Sequence, residues 1–336
     1  RHFGFCYGVE NAIEIAFKTV EENPNKRIFL LSEMIHNPQV NADLMQHGVG
    51  FIMDTQGKLL VDWSTLQATD IVIIPAFGTT LETEEKLRSI GIEPKQYNTT
   101  CPFVEKVWNR SEQIGEKGYT ILIHGKPSHE ETRATFSHSS STTPSLILKD
   151  MDDAVRLAPY IQKTTDDISS FYNDFKGQYS EGFDVEKDLQ KIGVVNQTTM
   201  LASDTQAIAD FIKSTIAKRD ASSSEAFADT RDTLCYATND NQSAVIAMLE
   251  QEADLAIVIG GHNSSNTTHL VELCEKKLPT FFIENEHSIQ QNNTIQHFDI
   301  HQQIVITSEN FLPASNPVKI LLTCGASCPD AIVERV

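Results

Sequence analysis

YTILIHGKPSHEETRATF, residues 119–136, packs a fold into eighteen letters. A run of apolar, mostly β-branched residues breaks at a polar loop, and a helical pattern follows. Such a run with no alternation predicts a strand buried on both faces, and the Gly, Pro and Ser after it predict a turn into a helix. Five further stretches repeat the pattern: 27–45, 70–87, 191–211, 255–273 and 318–336. Between them stand three segments of another kind, FGFCYGVENAIEIAF (3–17), NTTCPFVEKVWNRSEQI (98–114) and DTLCYATNDNQSAVIAML (232–249). In each, a cysteine comes just before an amphipathic helix, and two strand–loop–helix units follow. The chain therefore reads as three copies of one pattern.

That repetition predicts an α/β fold of three pseudo-threefold-related domains, each with a small, mainly parallel sheet, around a central cavity. The boundaries expected are 1–97, 98–230 and 231–336. The middle copy carries an inserted helix and loop at 160–190, and the Ser-Ser-Ser-Glu stretch at 222–225 reads as a surface linker. Loops outside the carboxyl ends of parallel strands are where ligands bind in such sheets. Three pseudo-equivalent loops facing one cavity would bring Cys6, Cys101 and Cys235 together.

Composition narrows the function. Of 336 residues, 46 are Asp or Glu and 27 are Lys or Arg, a formal charge of −19. So acidic a surface argues against nucleic acid and anionic membranes as partners. No apolar run approaches the length of a membrane helix. Six cysteines without a CxxC pair do not make a disulfide scaffold or a zinc ribbon. The first residue is Arg1, so the native N-terminus is expected upstream, where a targeting segment would be out of sight.

Three convergent cysteines invite a metal. An iron–sulfur cube is ordinarily held by four thiolates, so three would leave one iron open to substrate. Zinc also takes Cys and His, but structural zinc favours closely spaced ligands. Each cysteine stands at a helix start, where a thiolate is favoured, although buried Cys also serves as a small core residue. Cys274 lies within a helix and reads as core. Cys324 and Cys328 flank the loop 325–327 and read as packing, with a redox pair as the other reading. The strand-end loops offer His36, His129, Thr198, Thr199, Ser264, Ser265, Asn266 and Ser327, polar groups suited to an anion at helix N-termini and equally to plain capping. Glu131 stands among them, a carboxyl that could donate protons if buried. His124 ends a strand and reads as structural. His2, His47, His138, His287, His297 and His301 have no constellation and read as surface. A zinc hydrolase of a phosphorylated metabolite, with Glu131 as general base, and a non-enzymatic repeat scaffold both remain open at this point.

The ordered motifs GFCYGV, IHNPQV, TTCPFVEKVW, HGKPSHEET, NQTTM, CYAT, GGHNSSNT and GASCPD resemble the 4-hydroxy-3-methylbut-2-enyl diphosphate reductase family across nearly the whole chain. The resemblance implies a trefoil of α/β domains around a [4Fe-4S] cluster with three cysteine ligands, matching Cys6, Cys101 and Cys235. It implies diphosphate contacts from His36, His129, Ser264, Ser265, Asn266 and Ser327. Glu131 matches the proton donor and Thr198 the threonine that relays to the substrate hydroxyl, with Thr199 beside it. The substrate implied is a small allylic diphosphate, and the electron donor a ferredoxin or flavodoxin, since no GxGxxG follows a strand. Phe77 departs from the family, many of whose members have histidine there. Cys324 and Cys328 stand where small Ser or Thr residues are expected. The Phe77 form and the HGK–HEET motif resemble the plant and cyanobacterial branch. The compartment implied is a bacterial cytoplasm, or a plastid stroma if a targeting peptide has been removed.

Overall fold

The computed structural model describes residues 4–220, 224–228 and 233–336. His2, the linker serines 222–223 and the expected boundary at 230/231 lie outside them. In chain order the elements are α1 (Tyr7–Glu22), β1 (Ile28–Leu30), α2 (Pro38–Gln46), β2 (Gly50–Phe51), β3 (Ile71–Ile73), α3 (Leu81–Ile90), α4 (Pro102–Gly115), β4 (Thr120–His124) and α5 (Glu130–Ser140). Then come β5 (Ser145–Leu148), α6 (Met151–Gln162), α7 (Ile168–Asp174), α8 (Val185–Asp188), β6 (Ile192–Asn196), α9 (Ala202–Arg219), β7 (Phe227–Ala228) and α10 (Tyr236–Met248). The chain ends with β8 (Leu255–Ile259), α11 (Ser265–Glu275), β9 (Thr280–Ile283), β10 (Ile289–Gln290), β11 (Thr294–Asp299), β12 (Ile304–Glu309), β13 (Ile320–Cys324) and α12 (Asp330–Arg335). All six predicted strand–loop–helix units are present, and each of the three cysteines directly precedes a helix.

The chain divides into two compact units. One holds residues 1–17, 34–47 and 235–336, the other 18–33 and 48–234. The second unit contains two all-parallel sheets, ordered β2-β1-β3 and β5-β4-β6-β7. β4 and β6 are buried along their whole length, as their uninterrupted β-branched runs require. The insert at 160–190 forms α7 and α8, and it is less polar in effect than its composition suggests. Phe171, Phe175 and Phe183 from it enter the core beside Leu146, Leu157 and Ile208. Phe171 and Phe183 stack at 5.5 Å.

The first unit holds the parallel sheet β13-β8-β9 and an antiparallel ribbon β10-β11-β12. β8 is wholly buried. β13 begins exposed at Ile320 and is buried at Thr323 and Cys324, so the sixth unit is covered on both faces only near its loop.

Local chemistry sets the helix starts. Asn37 accepts from the Val40 amide with Pro38 at the first helical position, Thr80 caps α3, Asp150 caps α6 and Ser264 caps α11. Two of the histidines expected at the surface are packed instead. His138 stacks on Trp108 at 3.8 Å, and His297 meets the edge of Phe281 at 5.0 Å. Aromatic neighbours distant in sequence claim both rings. His124 is structural as expected, its Nδ1 2.8 Å from Thr205 Oγ1, and Cys274 is fully buried, its thiol pushed up to about 12 by desolvation.

Candidate active site

In the second unit the first turn of α5 lies against the loop after β6. Glu131, 1% exposed, takes two hydrogen bonds from Thr198. The Thr198 amide donates to Oε1, and the hydroxyl donates to Oε2 at 2.9 Å. Burial pushes the Glu131 carboxyl up to about 7, against the opposing pull of those two donors. The Thr198 loop is itself held. Gln197 Oε1 accepts from Thr132 Oγ1 at 3.0 Å and from the Lys126 amide at 3.2 Å, while its Nε2 donates to Thr199 Oγ1 at 2.7 Å.

His129 is the N-cap of α5. Its Nδ1 accepts from the Glu131 amide at 3.2 Å, so the proton of the neutral ring sits on Nε2, the nitrogen suited to donate to an anion. Phe77 packs edge-on against the His129 ring at 5.5 Å. It therefore supports this histidine by contact where a histidine would have supplied a donor. The Cys101 amide donates to the carbonyl of Ala76, the residue before Phe77, at 2.9 Å. Within this unit, then, Cys101, His129, Glu131, Thr198 and Thr199 lie on adjoining loops.

Sequence reasoning places Glu130 in the same strand-end loop and gives it no role of its own. It is buried like its neighbour, though a little less deeply, and turns to a different place, accepting from Ser32 Oγ. It lines a cavity of about 400 Å³ with Ser32, Thr79, Thr80, Trp63 and Arg133. Desolvation raises its carboxyl to about 8. Because both acids are raised, the unfolded chain loses their protons first as pH climbs from 4.5. Stability contributed by the protonated forms is complete below pH 4.5 and falls away up to about pH 8. Glu130→Gln keeps the acceptor for Ser32. It should leave stability near pH 4.5 unchanged and raise it at pH 8 by an amount of order a few kcal/mol. Urea midpoints at the two pH values check this, and an equal shift at both would refute it.

In the first unit the loop after β13 is a hub. The Cys6 amide donates to Ala326 O at 3.2 Å, and the Ala326 amide donates to Asn266 Oδ1 at 3.2 Å. Asn266 Nδ2 donates to Thr238 Oγ1, also at 3.2 Å, on the first turn of the helix that Cys235 begins. Ser327 O accepts from Asn37 Nδ2 at 2.8 Å, and Ser327 Oγ donates to His36 O at 3.4 Å. The Tyr7 amide donates to Tyr236 Oη at 3.3 Å, so the helix starts beside Cys6 and Cys235 touch. Ser264 Oγ accepts from the Thr267 amide and hydroxyl at 3.3 and 3.0 Å, which points its own proton outward from the cap. Ser265 Oγ lies 3.5 Å from His269 Nε2. A Cβ on Gly261 would come within 2.5 Å of the His36 carbonyl, so only glycine allows these two loops to meet. Thr238 was the member sequence reading missed, although it sits in the CYAT motif.

None of the six cysteines is in a disulfide. Cys101 and Cys235 are N-cap residues of near-identical backbone, φ −62° ψ 131° and φ −69° ψ 137°, and neither sulfur caps its helix. Burial pushes the Cys6 thiol up, while the Val9 and Gly8 amides pull it down. Three thiols at helix starts are a donor set suited to an iron–sulfur cluster. Cys6 and Cys235 belong to one unit and Cys101 to the other. Among the described residues no group of three His, Cys, Asp or Glu side chains is gathered for a single metal ion, and no helix is long and apolar enough to cross a membrane.

The LytB protein family model matches residues 1–336. The chain belongs to the LytB protein family. Among curated LytB relatives, the 4-hydroxy-3-methylbut-2-enyl diphosphate reductase of Crocosphaera subtropica is 40% identical over 337 residues, covering 99% of this chain and 81% of the relative. The reductase of the same name from Picosynechococcus is 40% identical over 343 residues, with the same coverage. In structure the chain resembles the E-1-hydroxy-2-methyl-but-2-enyl-4-diphosphate reductase from Plasmodium falciparum, with TM-score 0.71 and 22% identity, covering 99% of this chain and 84% of that one. A second solved structure, of (E)-4-hydroxy-3-methyl-but-2-enyl diphosphate reductase, the terminal enzyme of the non-mevalonate pathway, matches with TM-score 0.58 at 24% identity, covering 100% and 95%. These likenesses establish the LytB fold for this chain.

Proposed function

We propose that this chain is an iron–sulfur reductase that removes the hydroxyl of (E)-4-hydroxy-3-methylbut-2-enyl diphosphate, giving isopentenyl and dimethylallyl diphosphate, the last step of the non-mevalonate route. One observation carries the residue assignment: a carboxyl buried to 1% exposure with both oxygens on Thr198 and a neutral histidine two residues before it. Among its relatives, the family name and 40% identity over almost the whole chain support the reaction.

In this reading Cys6, Cys101 and Cys235 hold a [4Fe-4S] cluster, one from each of three cysteine-headed domains, 1–97, 98–230 and 231–336. When bound, the cluster supplies electrons one at a time and an open iron as Lewis acid. His36, His129, Ser264, Ser265, Asn266 and Ser327 bind the diphosphate, offering neutral donors where lysines are scarce. Thr198 holds the hydroxyl end of the substrate and Glu131 gives up its proton there, while Thr199 steadies the loop through Gln197.

The balance is simple. Loss of the hydroxyl as water takes two electrons and two protons. One proton goes from Glu131 to the departing oxygen. The other goes to either end of the allyl fragment, which accounts for two products. Electrons come from a ferredoxin or flavodoxin, because the sequence offers no nicotinamide fingerprint. Similarity to cyanobacterial relatives supports a bacterial cytoplasmic enzyme, with a plastid stroma as the other compartment.

The test is anaerobic purification with iron and acid-labile sulfide quantified, then turnover of the substrate with dithionite and a viologen. Near-equal iron and sulfide with release of both products is expected. A protein without iron after anaerobic reconstitution, or one holding zinc without sulfide, would overturn the reading.

A further inference from the structure

The turn after β3, residues 76–79, is fastened at both ends. At its start the Ala76 carbonyl accepts from the Cys101 amide at 2.9 Å. At its end the Thr79 carbonyl lies 3.2 Å from Nε2 of His138, late in α5. Burial lowers the His138 pKa, so at neutral pH the ring is uncharged and carries one proton. Facing a carbonyl, that proton sits on Nε2. Between the two fastenings stands Phe77, edge-on to the His129 ring at 5.5 Å. We propose that His138 is a positioning residue for His129: by pinning Thr79 O it holds Phe77 against the His129 ring, and so fixes the direction in which that ring presents its Nε2–H.

The pin is itself rigid. His138 stacks on Trp108 of α4 at 3.8 Å with 9° between the ring planes. Trp108 Nε1 donates to Thr135 Oγ1 at 3.1 Å, which locks the indole to α5. The indole then closes on the turn. Gly78 has φ +74°, and a Cβ there would lie 2.5 Å from the Trp108 ring, so only glycine fits. A little further on, the Leu81 amide donates to Ser137 Oγ at 3.0 Å, so α5 also holds the start of α3.

His129 needs such a support. The Glu131 amide fixes one edge of its ring, donating to Nδ1 at 3.2 Å. A single hydrogen bond leaves the ring able to tilt about that contact. Phe77 blocks the tilt from one side, and it can do so only while its turn stays in place. Within the turn the Gly78 amide donates to Pro75 O at 3.0 Å, and the glycine between Phe77 and Thr79 would otherwise leave the segment soft. His138 and Trp108 supply the stiffness from outside.

The consequence falls on binding and spares proton transfer. Glu131 takes its two bonds from Thr198, and the Thr198 loop is held by Gln197. Loosening the 76–79 turn therefore disturbs the anion contact of His129 and leaves the acid where it is. The effect on diphosphate rests on the role proposed for His129, whereas the clamp on the turn does not.

The experiment uses the full chain, purified anaerobically. His138→Phe keeps a ring on Trp108 and loses the donor to Thr79 O. Inorganic diphosphate, titrated calorimetrically, should bind this variant about ten-fold more weakly, the usual worth of one buried hydrogen bond. In turnover KM should rise by a like factor while kcat stays within about two-fold. His138→Gln, whose amide nitrogen has much the reach of Nε2, should recover most of the affinity. Phe77→Ala should bind as weakly as His138→Phe, and adding His138→Phe to it should cost less than about two-fold more. Amide exchange in His138→Phe should quicken at 76–81 and at Glu131, whose amide bonds to His129. Unchanged affinity and exchange in His138→Phe would overturn the proposal. So would a full further loss in the Phe77→Ala background, since His138 would then act by another route. Should His138→Phe fail to fold, Trp108→Phe, which lacks the Thr135 bond, takes its place in the same cycle, and the same two results overturn the proposal. A wild-type chain that never binds diphosphate counts against the His129 assignment alone, since exchange at 76–81 and at Glu131 still decides the clamp.

Discussion

Glu131→Gln is expected to lose two to four orders of magnitude in turnover while keeping its fold, its iron and its affinity for substrate. The range is that of a positioned general acid. The amide side chain has the shape of the carboxyl, so the Thr198 contacts can be rebuilt: the Gln oxygen takes the Thr198 amide, and the Gln nitrogen donates to a rotated Thr198 hydroxyl. What is lost is a proton that can leave. Wild-type Glu131 is held at about 7 because desolvation outweighs the two Thr198 donors, which leaves a useful fraction protonated at neutral pH. Activity limited by that proton should fall as pH rises above 7, and the variant should lack this limb. Thr198→Val removes the hydroxyl bond to Oε2 and retains the amide bond to Oε1. It should therefore move the limb to higher pH, because one group favouring the carboxylate is gone. Steady-state rates across pH 6–9 check both variants. A Glu131→Gln enzyme with ordinary kcat would remove Glu131 from its role.

How far the sequence shows this arrangement depends on the range of the interaction. The six strand–loop–helix units are legible because a strand buried on both faces needs a continuous apolar run, and TILIH or LAIVI has no other stable use. Three of the short strands are not. β2, β5 and β9 fall in runs of only three apolar residues, whereas β1 and β3, three residues each as strands, fall in runs of four that open a polar loop and a helix. The ribbon of β11 and β12 is mostly uncovered, so burial imposes little pattern on it. Polar site residues could be picked as loop members, but their partners could not. Asn266 meets Ala326 across sixty residues and Thr238 across twenty-eight. Nothing in either segment names the other. The same long reach explains why residues 34–47 cluster with 235–336: Asn37 and His36 bond to Ser327, nearly three hundred residues away. Glu130 and Glu131 are neighbours of equal chemistry, and only the packing of α5 sends one to Thr198 and the other to Ser32.

The cysteine assignment admits a test in which metal binding is lost and the fold is kept. Cys101→Ser is expected to abolish iron and labile sulfide in the anaerobically purified chain and with them at least three orders of magnitude of activity. A serine hydroxyl stays protonated near neutral pH, so it cannot replace a thiolate ligand. The fold should not suffer. Cys101 has the extended backbone of an N-cap residue, its amide is fixed to Ala76 O at 2.9 Å, and its sulfur makes no capping bond to α4. Serine is among the preferred N-cap residues and suits that extended backbone, so the exchange should cost the metal-free chain little. The variant should thus melt close to the metal-free wild type, while the metal-loaded wild type melts higher than both. Cys235→Ser, at the matching position on α10, should behave alike. Cys274→Ser gives the contrast. Its side chain is fully buried in α11 with no part in the site, so the substitution should lower stability and leave the iron in place. Retained iron in Cys101→Ser, with loss in Cys274→Ser, would mean that the helix-start cysteines are packing residues and that the metal is held elsewhere.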